Sequence, residues 1–186
     1  MSKNLIVFFI ITIIVIIPLQ INAEDYQLIV YKNNKELALK KANNIVKKYH
    51  IATGKGGKGT KRKRGDSKTP LGVYRISKFG KSNRFHYFIQ LDYPNLIDAW
   101  YGFKNEVIDG SDFKRIANAY KKRESPPQDT NLGGQIGIHG IGKTTTKKLA
   151  IHEELNWTDG CIALTNDDIN HLMKFIKIGT TVVIKE

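Results

Sequence analysis

From Tyr26 onward the apolar residues of this chain come in short bursts, each closed within a few positions by Asn, Gly or Pro. Bursts of that size can cross a sheet but cannot fill several turns of helix, so they predict strands. Leu28–Tyr31, Leu37–Leu39 and Ile45–Val46 with Tyr49–Ile51 form the first three. Asn33-Asn34 and Asn43-Asn44 lie between them, and Asn tolerates the positive φ that tight hairpins need. The pattern predicts a strand meander over 26–53. Lys, Glu, Leu and Ala also favour helix, which leaves a helical alternative for 35–49.

Further strands are predicted at Val73–Ile76, Phe85–Leu91, Gln135–His139, Cys161–Leu164 and Thr180–Ile184. Tyr93-Pro94-Asn95 closes the second of these. The stretch 95–123 reads as irregular or helical, with Phe113, Ile116, Ala117 and Tyr120 at helical spacing, until Ser125-Pro126-Pro127 stops it. Thr165 followed by Asp168 has the form of a capping box with a shortened acid. Ile169, Leu172, Met173 and Ile176 then mark one helical face that Gly179 ends. Residues 140–157 read as a loop. The fold class is mainly β (α+β): a single β-rich domain over 24–186 with a few packed helices.

Length agrees, since 186 residues make one ordinary domain and not two comfortable ones. The N-terminus stands apart. Lys3 precedes an uncharged apolar run from Leu5 to Ile17, Pro18 breaks it, and Ile21-Asn22-Ala23 ends on a small residue. That is the layout of a secretory signal over 1–23, and the run is short of the ~20 residues that span a bilayer. The expected location is therefore outside the cytoplasm, in the periplasm or cell envelope. Net charge is +13, which calls for an anionic partner. Export turns that expectation away from nucleic acid and towards anionic wall or membrane polymers, with the basic loop Lys55–Arg64 as their contact.

Cys161 is the only cysteine. A single thiol in an exported chain cannot close an internal disulfide and is read as a reactive group, an intermolecular link or a buried hydrophobe. Its surroundings favour the first. A thiolate nucleophile needs a histidine within reach, a third group to fix that histidine's tautomer, and backbone N–H groups aimed at the developing oxyanion. Two islands offer these parts: Ile136-Gly137-Ile138-His139-Gly140 and Trp157-Thr158-Asp159-Gly160-Cys161-Ile162. Twenty-two positions separate His139 from Cys161, which suits two neighbouring strands joined by a loop.

The two islands resemble the signature of the L,D-transpeptidase catalytic domain family (YkuD type), a His-Gly followed later by Ser/Thr-x-Gly-Cys. Here those elements are His139-Gly140 and Thr158-Asp159-Gly160-Cys161. The run Gly65–Tyr74, Tyr93-Pro94-Asn95 and Gly134–His139 are similar to further family segments, in the family's order. The resemblance implies a β-sandwich-like fold and an enzyme whose cysteine attacks the L,D bond of a peptidoglycan tetrapeptide. D-alanine leaves, and the acyl group passes to an amine. It further implies Cys161 as nucleophile, His139 as base and the Gly140 carbonyl as its orienter. Amides near Gly160 and Cys161 would serve the oxyanion, with Thr158 holding the turn. No metal and no organic cofactor is implied, and the chain is expected to act as a monomer on peptidoglycan stem peptides.

One departure stands out: Ala163 occupies the place, two residues after the cysteine, where many members carry arginine. It leaves open a thiol-dependent hydrolase of the same fold. A non-catalytic module binding anionic wall polymers is the competitor from another class. Asp159 so near a thiol would raise its pKa, so a turn role suits it better, while Trp157 reads as a core or rim anchor or a substrate contact. His152 is expected to face solvent. His50, His86 and His171 carry no assigned role, and no Cys/His spacing suits zinc.

Overall fold

The structure, a computed structural model, describes residues 26–186; the predicted signal segment 1–23 lies outside them. Three strands open the chain: β1 (Tyr26–Tyr31), β2 (Glu36–Lys41) and β3 (Asn44–His50). They pair antiparallel in sequence order, so the meander holds and the helical alternative fails. Alternate residues Leu28, Val30, Leu37 and Leu39 face the core, and Ile29 and Ala38 between them are buried as well, so both faces of β1 and β2 are covered at their centres. The positive φ of the two turns falls on Lys35 and Ala42 rather than on an Asn. The Asn pairs thus mark the turns without taking their left-handed positions.

β4 (Gly72–Ser82) and β5 (His86–Leu91) follow, then helices α1 (Leu96–Lys104) and α2 (Gly110–Lys122), β6 (Gly137–Gly140), α3 (Thr146–Glu154), β7 (Ile162–Leu164), α4 (Asn166–Leu172) and β8 (Thr181–Lys185). The eight strands run in the order β3-β2-β1-β8-β4-β5-β6-β7. β4 joins the two halves. Its first residues, Gly72–Arg75, pair with β8, and those from Ile76 to Ser82 pair with β5. A bulge between Ile76 and Lys78 bends it in between, as an extra residue in one strand of a pair does.

The two ends of this order also meet. Ala52, just past β3, exchanges both backbone hydrogen bonds with Ala163 of β7, at 3.1 and 2.8 Å, and the Thr158 amide donates to the Thr53 carbonyl. One apolar core results, fed by β1, β2 and β8 from one half and by Ile89, Leu91, Ile138, Ile162 and Leu164 from the other. α4 adds Ile169 and Leu172.

Each of the four helices adds to or departs from what the sequence predicts. α1 begins at a capping box, in which the Asn95 side chain accepts from the Asp98 amide and the Asp98 carboxylate accepts from the Asn95 amide. α2 buries Ile116 and Ala119, while Tyr120 points outward. Thr165 caps α4 as predicted, but the α-helix stops at Leu172. The chain then tightens into i→i+3 turns, with the Lys174 and Phe175 amides donating to His171 and Leu172. Ile176 stays buried all the same. α3 was expected as loop. Its one fully buried side chain is a histidine, so no apolar period announces it.

Candidate active site

β6 and β7 run parallel, with Ile138 opposite Ile162 and His139 opposite Ala163. Cys161 therefore enters β7 at the level of Gly137. His139, Cys161, Trp157, Thr158 and Asp159 all line one cavity of about 540 Å3, whose opposite wall comes from β4, β5 and the turn between them. The structure thus gathers five predicted residues on one opening, with Gly140 and Gly160 in the adjoining backbone.

His139 is 2% exposed. Its Nδ1 lies 2.8 Å from the Gly140 carbonyl oxygen. A carbonyl can only accept, so Nδ1 carries the hydrogen and Nε2 keeps its lone pair. The imidazole is sandwiched by aromatic rings, with Phe85 at 4.2 Å, Phe88 at 6.2 Å and Trp157 at 5.9 Å between centroids. Burial in that setting pushes its pKa down to about 4, because the charged form loses water.

Cys161 is half-buried, and its thiol donates to the Gln135 carbonyl at 3.3 Å. Burial pushes the thiol up to about 11, and the Asp159 charge adds to the rise, whereas the Gly137 amide and Lys61 favour the thiolate. At neutral pH both partners rest uncharged. No thiolate–imidazolium ion pair therefore stands at rest.

The loop before Cys161 is fixed by its own hydroxyl. Thr158 Oγ1 donates to the Cys161 carbonyl at 2.6 Å and accepts from the Gly160 amide at 3.2 Å. Thr158 thus holds the turn, and the Gly160 amide, one of two expected oxyanion donors, is engaged there. Gly160 has φ +127°, and a Cβ on it would sit 2.7 Å from the Lys68 carbonyl oxygen, so only glycine suits. Asp159 points to solvent, pairs with Lys55 at 2.9 Å and accepts from the Ser67 hydroxyl. Those contacts hold its carboxyl below the usual range.

Two positioning residues carried no signal in the sequence. Gln128 Oε1 accepts from the Gln135 amide at 2.7 Å, while its Nε2 donates to the carbonyls of Tyr93 and Pro126. Gln135 itself has φ +56°, and this tether keeps its carbonyl on the thiol. Asn166, the first residue of α4, accepts from the Gly142 amide and donates to the Gly142 carbonyl, which pins the chain just after His139-Gly140. Both are distant in sequence from what they hold.

One expectation is overturned. His152 does not face solvent: it is fully buried on the inner side of α3, edge-on to His50 at 5.5 Å and 6.5 Å from Trp157. Neither ring nitrogen has a hydrogen-bond partner among the described residues, and burial lowers its pKa. In the basic loop, several cations have partners within the fold. Lys61 is 4% exposed and bonded to Asp66 at 2.8 Å, Arg62 stacks on Tyr101, and Arg64 donates to the Thr130 carbonyl. With Lys55 on Asp159, four of its six cations serve the fold, leaving Lys58 and Lys63 exposed. Asp66, whose carboxylate also accepts from the amides of Arg62, Lys63 and Lys68, explains why a loop so basic folds back on itself. Among the described residues no group of three or more His, Cys, Asp or Glu side chains is placed to hold a metal ion.

Residues 21–184 match the profile of the L,D-transpeptidase catalytic domain (YkuD). Among solved structures, the helical cell shape determining protein Pgp2 of Campylobacter jejuni is similar at 23% identity and TM-score 0.54, over 87% of this chain and 48% of that one. Bd1075 of Bdellovibrio bacteriovorus is similar at 20% and 0.53, again over 87% and 48%. An L,D-transpeptidase of Stackebrandtia nassauensis is similar at 13% and 0.50, over 88% and 56%. This chain spans about half the length of each, and likeness at such identities speaks for the fold. Curated proteins yield no match.

Proposed function

Because the chain belongs to the L,D-transpeptidase catalytic domain family, we propose that it is a cysteine acyltransferase acting on peptidoglycan stem peptides outside the cytoplasm. The observation that supports this reading most is the thiol of Cys161 and the Nδ1-anchored imidazole of His139 opening on one cavity.

In the first half-reaction the Cys161 sulfur attacks the carbonyl of the L,D bond that follows the diamino acid, and the thiol proton passes to His139 Nε2. The oxyanion is held by backbone amides about Cys161, the Gly160 amide being bonded to Thr158. As the intermediate collapses, the C–N bond breaks and Nε2–H protonates the departing D-alanine nitrogen. A thioester remains on Cys161. In the second half-reaction an amine attacks the thioester, gives its proton to Nε2, and the sulfur leaves with that proton restored. The Gly140 carbonyl stabilises Nδ1–H throughout, so the ring keeps one tautomer at rest and gains its second hydrogen only in passing. No cofactor enters these steps.

Incubating the purified protein with disaccharide-tetrapeptide fragments and resolving products by mass tests the reaction type. Cross-linked dimers with released D-alanine are the expected products. Tripeptides alone would assign hydrolysis, with water replacing the amine, and intact fragments would overturn both.

A further inference from the structure

The cavity wall opposite the thiol is cationic, and the sheet register says where its charges stand. On the face that carries His139, one cross-strand row runs Gly80, Phe88, His139, Ala163, and the next runs Lys78, Gln90, Gly137. Cys161 stands beside Gly137 at the end of that second row, so Lys78 and Cys161 occupy its two ends. Phe88 and the His139 ring stand between the ends of the first row, Ala163 is fully buried, and Gly80, with no side chain, leaves the cavity open at the β4 end. Lys78 and Arg84 are exposed, line the cavity, and make no ion pair among the described residues. Arg84 stacks on Phe85 at 4.8 Å, and Phe85 in turn packs on the His139 ring. The carboxylate on the rim, Asp159, is neutralised by Lys55.

We propose that Lys78 and Arg84 select acyl donors bearing free carboxylates; this rests on the proposed stem-peptide reaction. Three strand spacings separate the Lys78 and Cys161 backbones, roughly 14 Å. A lysine side chain covers about 6 Å of that, and the remaining ~8 Å is about two extended residues. Lys78 thus meets a carboxylate about two residues from the carbonyl attacked. Arg84, beside the imidazole that protonates the leaving group, meets the terminal carboxylate of the leaving D-residue. A stem amidated at those carboxylates would lose both contacts, since an amide brings no charge to a cation.

The test measures binding, so it does not depend on turnover. Calorimetry with the Cys161→Ala protein is run against a tetrapeptide stem as free acid and as its amidated counterpart. The free acid is expected to bind about tenfold tighter, the size of one partly desolvated charge pair. Lys78→Ala or Arg84→Ala should each shrink that ratio, Lys78→Arg should restore it, and neither should weaken the amidated stem. Equal affinity for the two stems, no binding of either, or a loss of the same factor on both would overturn the proposal. The underlying reaction fails separately, if Cys161→Ala retains turnover.

Discussion

The meander half of the sheet and the catalytic half are built by different means. β1, β2 and β8 pair along five or six residues each and bury Leu28, Val30, Leu37, Leu39 and Val182 completely. β6 and β7 share three paired positions. Besides burying Ile138, Ile162 and Leu164 in the shared core, they are flanked by polar clamps on the backbone: Gln128 on Gln135, Thr158 on Gly160 and Cys161, Asn166 on Gly142. Long ladders over apolar side chains give stability, whereas reactive groups need backbone that ends, turns and offers unpaired atoms. The molecule keeps these demands in separate halves and joins them through the bent strand β4.

Substituting Cys161 by Ala should separate chemistry from stability most sharply. Rate on a stem substrate is expected to fall by a factor of about ten thousand or more, with the melting temperature nearly unchanged. A large drop in melting temperature would mean the thiol belongs to the core. Leu39→Ala is the converse. It removes a fully buried side chain and should cost about 2–5 kcal/mol by denaturant titration, leaving the rate of the folded fraction as it was.

The electrostatics of the catalytic half make two pH predictions. Alkylation of Cys161 by iodoacetamide should climb with pH towards the thiol's pKa of about 11, because only the thiolate reacts. A plateau at neutral pH would instead indicate a standing thiolate–imidazolium pair. His139, held near 4, binds fewer protons folded than unfolded between that value and ~6.5. Folding stability should therefore fall as pH drops through that window, and His139→Phe should flatten the fall. The smallest effect concerns a clamp. Gln128→Leu, which removes the bonds to Gln135, Tyr93 and Pro126, should lower kcat about tenfold with KM little moved. An unchanged kcat would show that the Gln135 carbonyl needs no tether.

How much of this was legible in the sequence follows the same division. The meander could be read because its strands are neighbours in the chain and their short apolar bursts are separated by turn residues, even though the left-handed turn positions fell on Lys35 and Ala42. His139 and Cys161 could be singled out because each sits at a glycine beside a short apolar burst. α3 escaped because a buried histidine leaves no apolar period. Gln128 and Asn166 escaped because their partners lie 7 and 24 positions away, and an amide side chain looks the same in sequence whether it clamps a loop or meets water. Charge was the hardest to read. The basic loop reads as a contact for anionic polymers, and nothing in its composition shows that Lys61 is buried on Asp66 or that Arg64 donates to the Thr130 carbonyl.

Mass spectrometry of the protein quenched during turnover on a tetrapeptide stem tests the central claim most directly. The peptide containing Cys161 should gain the mass of the stem less D-alanine, through a thioester that hydroxylamine removes, and the Cys161→Ala protein should show no adduct. An unmodified Cys161 during active turnover, or an acyl group carried on another residue, would contradict the account.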